Sequence, residues 1–231
     1  MREIVLDTET TGLDPFQGHR LVEIGCVELV NRIPSGQTFH RYLNPERDMP
    51  AEAENVHGLS GEFLKDKPLF VHIADEFVAF LGDAPLVIHN AAFDIGLLNA
   101  EFERAGHPPI GRERMIDTLL LARRKHPGVS NRLDDLCQRY AIDNSRRTKH
   151  GALLDAELLA EVYVELIGAR QAQLVLSQTA VLSGGAGVSI IVRERAVPLP
   201  PRLSDEERTA HRQFIATLGD NAIWRDYVSL D

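Results

Sequence analysis

The chain has 231 residues, enough for one sizeable core plus an appendage but short for two full domains at roughly 100 to 200 residues each. Hydrophobic residues make up 44% and charged residues 26%, a globular balance that excludes disordered and fibrous classes for the chain as a whole. Against 25 Lys and Arg stand 34 Asp and Glu, and the net charge of −9 by itself argues against a nucleic-acid partner, because duplex binders carry a positive footprint.

Glu3 to Thr8 predicts a first strand, and its acids distinguish the N-terminus from a signal peptide. Leu21 to Val30 and Thr38 to Leu43 predict two more strands, with Pro34-Ser35-Gly36 as the hairpin punctuation between them. Phe70, Ile73, Phe77 and Phe80 give helical spacing over 68–81; a short strand follows at 85–89, then a helix over about 91–105 closed by Gly106. Further helices are expected at about 117–125, 133–140 and 151–168. The result is an α/β domain, a β-hairpin sheet extended by βα units and ending near residue 175. Beyond it, Ser183 to Gly187 reads as a flexible linker and Pro198 to Pro201 as a stiff one. Ser204 precedes Asp205-Glu206-Glu207 as a capping box would, opening a last helix to about Leu218. Cys26 and Cys137 lie far apart in apolar surroundings, which offers no disulfide framework and fits a reducing cytoplasm. No apolar run approaches the roughly 18 to 20 residues a bilayer span needs, so the expectation is a cytoplasmic protein without a membrane partner.

The informative residues are acids where the pattern wants apolar side chains. By the two-residue period Glu3, Val5, Asp7 and Glu9 share one strand face, so Asp7 and Glu9 project together. Read alone, this is equally a strand end fraying into the polar turn Thr10-Thr11-Gly12. Asp94 shares a helical stripe with Leu97, Leu98 and Ala105, and Asp155 shares one with Leu158, Leu159 and Val162. Unpaired buried carboxylates are costly, and few obvious Lys or Arg partners lie on the same stripes; divalent cations held by hard oxygen ligands, Mg²⁺ or Mn²⁺, resolve the conflict. His150, five residues before Asp155, is placed to take a proton from an attacking water. His57 and His89 suit structure or substrate contact better than a base.

Taken in order, Asp7-Thr8-Glu9-Thr10-Thr11-Gly12, His89-Asn90-Ala91-Ala92-Phe93-Asp94 and His150-Gly151-Ala152-Leu153-Leu154-Asp155-Ala156 resemble the three motifs of the DEDDh 3′-to-5′ exonuclease superfamily, in particular its proofreading branch. The likeness covers about residues 1–175. It implies a ribonuclease-H-like fold with a five-stranded mixed sheet flanked by helices, and two divalent cations. Asp7, Glu9 and Asp155 resemble the ligands of the first cation, Asp7 also bridging to the second, with Asp94 completing the cluster; His150 resembles the general base. The stretch from Pro50 to Gly58 resembles the segment that contacts the terminal nucleotide and nominates Glu52 and His57, although Glu54-Asn55 depart from the usual apolar or small pair. Thr10 and Phe93 are further substrate candidates that packing explains equally well, and Asp7, Glu9 and Asp155 touch the substrate in such sites too.

Residues 112–149 hold ten basic residues against five acids, and Arg146, Arg147 and Lys149 beside His150 are candidates to follow the phosphate backbone of a single-stranded 3′ end. The resemblance also implies partners: the catalytic alpha subunit of DNA polymerase III, a small theta-type subunit and the sliding clamp. It divides the chain into an exonuclease domain (1–175), a flexible linker (176–203) and a polymerase-docking segment (204–231), with Phe214, Ile215, Leu218, Ile223 and Trp224 supplying apolar contact; Gln173 to Thr179 is where a clamp motif would lie. A stand-alone exonuclease acting on RNA or short oligonucleotides is the alternative, and a catalytically idle scaffold a third reading.

Overall fold

A computed structural model describes residues 1–169, 203–218 and 224. They fall into two units, one within residues 1–175 and one within 176–231. The first unit runs β1 (Arg2–Thr10), β2 (Leu21–Val30), β3 (Ile33–Tyr42), α1 (Ala51–His57), α2 (Gly61–Leu64), α3 (Phe70–Leu81), β4 (Leu86–Ile88), α4 (Ala91–Arg104), β5 (Met115–Asp117), α5 (Thr118–Lys125), α6 (Leu133–Tyr140) and α7 (Ala152–Leu166). One mixed sheet of five strands orders them β3-β2-β1-β4-β5, with β1, β4 and β5 parallel and the β1-β2-β3 pairs antiparallel.

Both faces of β1 are covered, and the two-residue period decides what covers each. Ile4 and Leu6, with Leu86 and Ile88 of β4, pack against Phe70 and Phe77 of α3 and Phe102 of α4. Val5 and Val87, on the opposite face, pack against Leu159, Ala160 and Tyr163 of α7. Ala122, Leu136, Cys137 and Val162 join α5, α6 and α7 in a third cluster.

The hairpin differs from its sequence expectation. Asn31 and Arg32 make the turn, with φ of 51° and 68°, while Pro34, Ser35 and Gly36 lie inside β3. A two-residue turn with both φ positive matches the twist of paired strands. A proline is tolerated in β3 because β3 is an edge strand. Three elements were not read from the sequence at all: α1, α2 and the three-residue β5.

In the second unit, α8 (Asp205–Thr217) starts as expected: Ser204 Oγ accepts from the Glu207 amide at 3.2 Å and Glu207 Oε2 accepts from the Ser204 amide at 2.8 Å. Phe214, Leu218 and Trp224 are exposed. The two linker stretches, the Gln173 to Thr179 segment and Ile223 lie outside the described residues. Among the described residues, no helix is long and apolar enough to cross a membrane.

Candidate active site

The carboxyl ends of the parallel strands β1, β4 and β5 lie on one edge of the sheet, where open α/β sheets place their clefts. β1 ends there on Asp7 and Glu9. Asn90, with φ 66°, a left-handed conformation that asparagine adopts more readily than most residues, turns β4 into α4 and sets Asp94 in that helix's first turn. On the far face of β1, the first turn of α7 carries Asp155. That turn sits directly on β2 because residue 25 is glycine: a Cβ there would lie 2.2 Å from the backbone of Ala152 and Leu153. Gly25 is also the cross-strand partner of Asp7, so the seat of α7 and the acid of β1 share one register position.

Asp7, Glu9, Asp94, Asp155 and His150 line one cleft of about 860 Å³, together with Arg147. Glu9, His150 and Asp155 present ligand atoms within 4.8 Å of one another. Asp94 is 3% and Asp155 2% exposed, Asp7 is half-buried and His150 is at the surface. Thr8, on the opposite face of β1 from Asp7, donates its hydroxyl to Asp94 Oδ1 at 2.7 Å. A second cleft of about 620 Å³ shares Thr8, Glu9 and Phe93 with the first and adds Thr10, Glu52 and His57. The nine candidate residues thus occupy two clefts that meet at Glu9 and Phe93.

Among the described residues, Asp7, Glu9 and Asp94 have no paired cation. Burial, followed by the charges of Asp94, Glu9 and Asp155, pushes the Asp7 carboxyl well above the usual range. Burial, with Asp155 and Glu23, raises Glu9 to about 8, and burial raises Asp94 to about 7 against the pull of the Thr8 hydroxyl. Asp155 goes the other way. Burial works to raise it, but the hydrogen bonds from Arg147, with His150 beside them, outweigh burial and hold it below its ordinary value. A cluster of hard oxygen donors, three of them with raised pKa and no paired cation, is one that a divalent cation fits.

His57 is 5% exposed, and burial lowers its pKa, so its ring is neutral. Nδ1 accepts from the Leu59 amide at 3.0 Å, which leaves the proton on Nε2. The Thr10 backbone draws on the ring, yet Nε2 is buried without a hydrogen bond of normal geometry. His89 Nδ1 pairs with Thr118 Oγ1 at 2.9 Å. Of the basic residues beside His150, Arg147 departs from expectation. Arg146 is 74% exposed and pairs loosely with Glu157, Lys149 donates to the Asn55 carbonyl, and Arg147 is turned inward with 7% exposure. The inward turn was missed because its partners, Asp155 and Asp134, are fixed by α7 and α6 rather than by neighbours in sequence.

The exonuclease family RNase_T matches residues 4–163, nearly all of the first unit, and the chain belongs to it: it is a 3′-to-5′ exonuclease, a divalent-metal-dependent class of hydrolase. The fold matches Escherichia coli exonuclease I in a complex with single-stranded DNA, with a TM-score of 0.62 at 17% identity over 74% of this chain and 41% of that one. More specifically, the chain is 50% identical over 222 residues to DNA polymerase III subunit epsilon of Rickettsia conorii, spanning 94% of this chain and 96% of that protein. It is 44% identical over 236 residues to the subunit of the same name from Escherichia coli, spanning 97% of each. Within the exonucleases it falls in this epsilon-subunit family and has its proofreading role.

Proposed function

We propose that the chain removes mismatched 3′-terminal nucleotides from DNA as nucleoside 5′-monophosphates, as the exonuclease subunit of DNA polymerase III. The acid cluster, with Asp7, Glu9 and Asp94 lacking a paired cation, supports this reading most directly. Asp7, Glu9 and Asp155 would hold one Mg²⁺ or Mn²⁺, with Asp7 and Asp94 toward a second. When bound, the cations stabilise charge on the attacking and leaving oxygens of an in-line displacement.

The chain's own side chains do the rest. His150 takes the proton of the attacking water on a ring nitrogen; the water oxygen bonds to phosphorus, the bond to the 3′-oxygen breaks, and that oxygen is protonated from solvent. The terminal nucleotide lies in the adjoining cleft against Phe93 and Thr10, with Glu52 at its wall. The unpartnered His57 Nε2–H supports substrate contact there, since a buried donor without an acceptor needs one from the ligand.

Residues 1–175 form the exonuclease domain, 176–203 the linker and 204–231 the docking segment for the alpha subunit. Exposed Phe214, Leu218 and Trp224 support that last role. A theta-type subunit and the sliding clamp complete the proposed partners. Mg²⁺-dependent digestion of paired and mismatched 3′ ends tests this reading, with faster release of 5′-monophosphates expected from the mismatch. The chain shortened by residues 180–231 should digest equally and no longer co-purify with the alpha subunit. A preference for RNA ends over DNA ends would instead favour a stand-alone exonuclease.

A further inference from the structure

Arg147 sits at the acid cluster without a role in that mechanism. Its Nε and Nη2 donate to Oδ1 and Oδ2 of Asp155 at 2.6 and 2.7 Å, and Nη1 donates to Asp134 Oδ2 at 2.7 Å. Nη2 also donates to His150 Nδ1 at 2.8 Å. The planar fork spans both oxygens of a carboxylate that also lies within the Glu9-His150-Asp155 group. Guanidinium is always a donor, so His150 meets Nη2 as an acceptor; its Nε2 lies 3.4 Å from the same Nη2. One side chain therefore engages a proposed cation ligand and the proposed base together.

We propose that Arg147 is an internal counter-ion that competes with the divalent cation for Asp155, holding Asp155 and His150 in a resting arrangement until the cation displaces it. The inference rests on Asp155 being a cation ligand, as read above. A guanidinium seated on both oxygens and a divalent cation on the same carboxylate oppose each other, so each weakens the other's hold by the same factor. Asp134, with its side chain 55% exposed, provides a second anchor that keeps the displaced side chain nearby.

Two opposed readings of Arg147 differ in sign. A residue that orients Asp155 for the cation strengthens binding; a competitor weakens it. The test is Mn²⁺ titrated into the full chain without DNA, with free Mn²⁺ followed by electron paramagnetic resonance, so that no turnover enters the readout. Arg147→Gln should tighten the Kd by about tenfold, within the usual range of linked sites. Its melting temperature in EDTA should fall, because Asp155 loses its partner. Arg147→Lys keeps the charge but not the fork, and should tighten binding by a smaller factor. If Arg147→Gln folds, as judged by circular dichroism, and binds Mn²⁺ equally or more weakly, the proposal is overturned; if it does not fold, the same outcome for Arg147→Lys overturns it. Asp155→Asn separates the two readings: Mn²⁺ affinity unchanged in that variant refutes Asp155 as a ligand, and with it the competition.

Discussion

The two ends of β1 carry the same kind of residue on the same face and treat it in opposite ways. Glu3, fully buried at the amino end, accepts a hydrogen bond from the Tyr163 hydroxyl at 2.7 Å and has Arg32 4.0 Å from its other oxygen. Glu9, 7% exposed at the carboxyl end, faces Asp155, Glu23 and Asp94, and its pKa rises to about 8. Tyr163 lies on the same helix that carries Asp155, so α7 gives one end of the strand a donor and the other a further acid. What separates the two acids is therefore the partner set supplied by the helix above them. Burial is nearly complete in both cases and does not separate them.

The strongest way to break this contrast is to remove the excess charge. Asp7→Asn should abolish exonuclease activity, exceeding the roughly 10²- to 10⁴-fold that loss of a general base costs. The same variant should melt higher than the parent in EDTA, because a repelling carboxylate is gone; a lower melting temperature would show that Asp7 is compensated after all.

Next comes pH. Without metal, Glu9 and Asp94 titrate at about 8 and 7 in the fold, against ordinary values of 4.5 and 3.8. Their stability contribution is thus fully present below the unfolded values and is lost as pH rises through the folded ones. Cations bind the ionised acids, so the rise in melting temperature on adding Mg²⁺ should be larger at pH 8 than at pH 6. An increment that shrinks toward pH 8 would contradict the assignment.

The smallest effect is at the other end of the strand. Tyr163→Phe leaves Glu3 without its phenol donor and should cost about 1 to 3 kcal/mol in denaturant unfolding, with kcat unchanged.

Much of this was legible in the sequence because periodicity reports which face is covered. Asp7 and Glu9 on a strand face, and Asp94 and Asp155 on apolar helical stripes, stood out as acids in buried places. β5 escaped because Met115-Ile116-Asp117 is too short to show a period, and α1 because Ala51 to His57 carries no apolar stripe. The hairpin turn was misplaced by reading Pro34-Ser35-Gly36 as a breaker, since edge position cannot be seen before the sheet is known. Arg147 was read, with Arg146 and Lys149, as a residue that follows a phosphate backbone. Its inward pairing depends on contacts with α6 and α7 that local sequence does not encode. The net charge of −9 misled for a related reason: it averages the acid cluster with the basic segment 112–149 that lies between Asp94 and Asp155 in the chain.

The glycine at position 25 has a bearing on motion. Because α7 rests on bare backbone at the very residue paired with Asp7, the acids of β1 and α7 cannot drift apart without separating the helix from the central strands of the sheet. That motion belongs to the slow end of the opening spectrum, close to global unfolding. His150 is held differently. Its side chain is 48% exposed, and its amide is tied to the Val56 carbonyl at 3.2 Å in a turn segment ahead of the helix. The acids of β1 and α7 therefore keep their spacing for as long as the domain stays folded, whereas the position of His150 rests on its contacts with Val56 and Arg147.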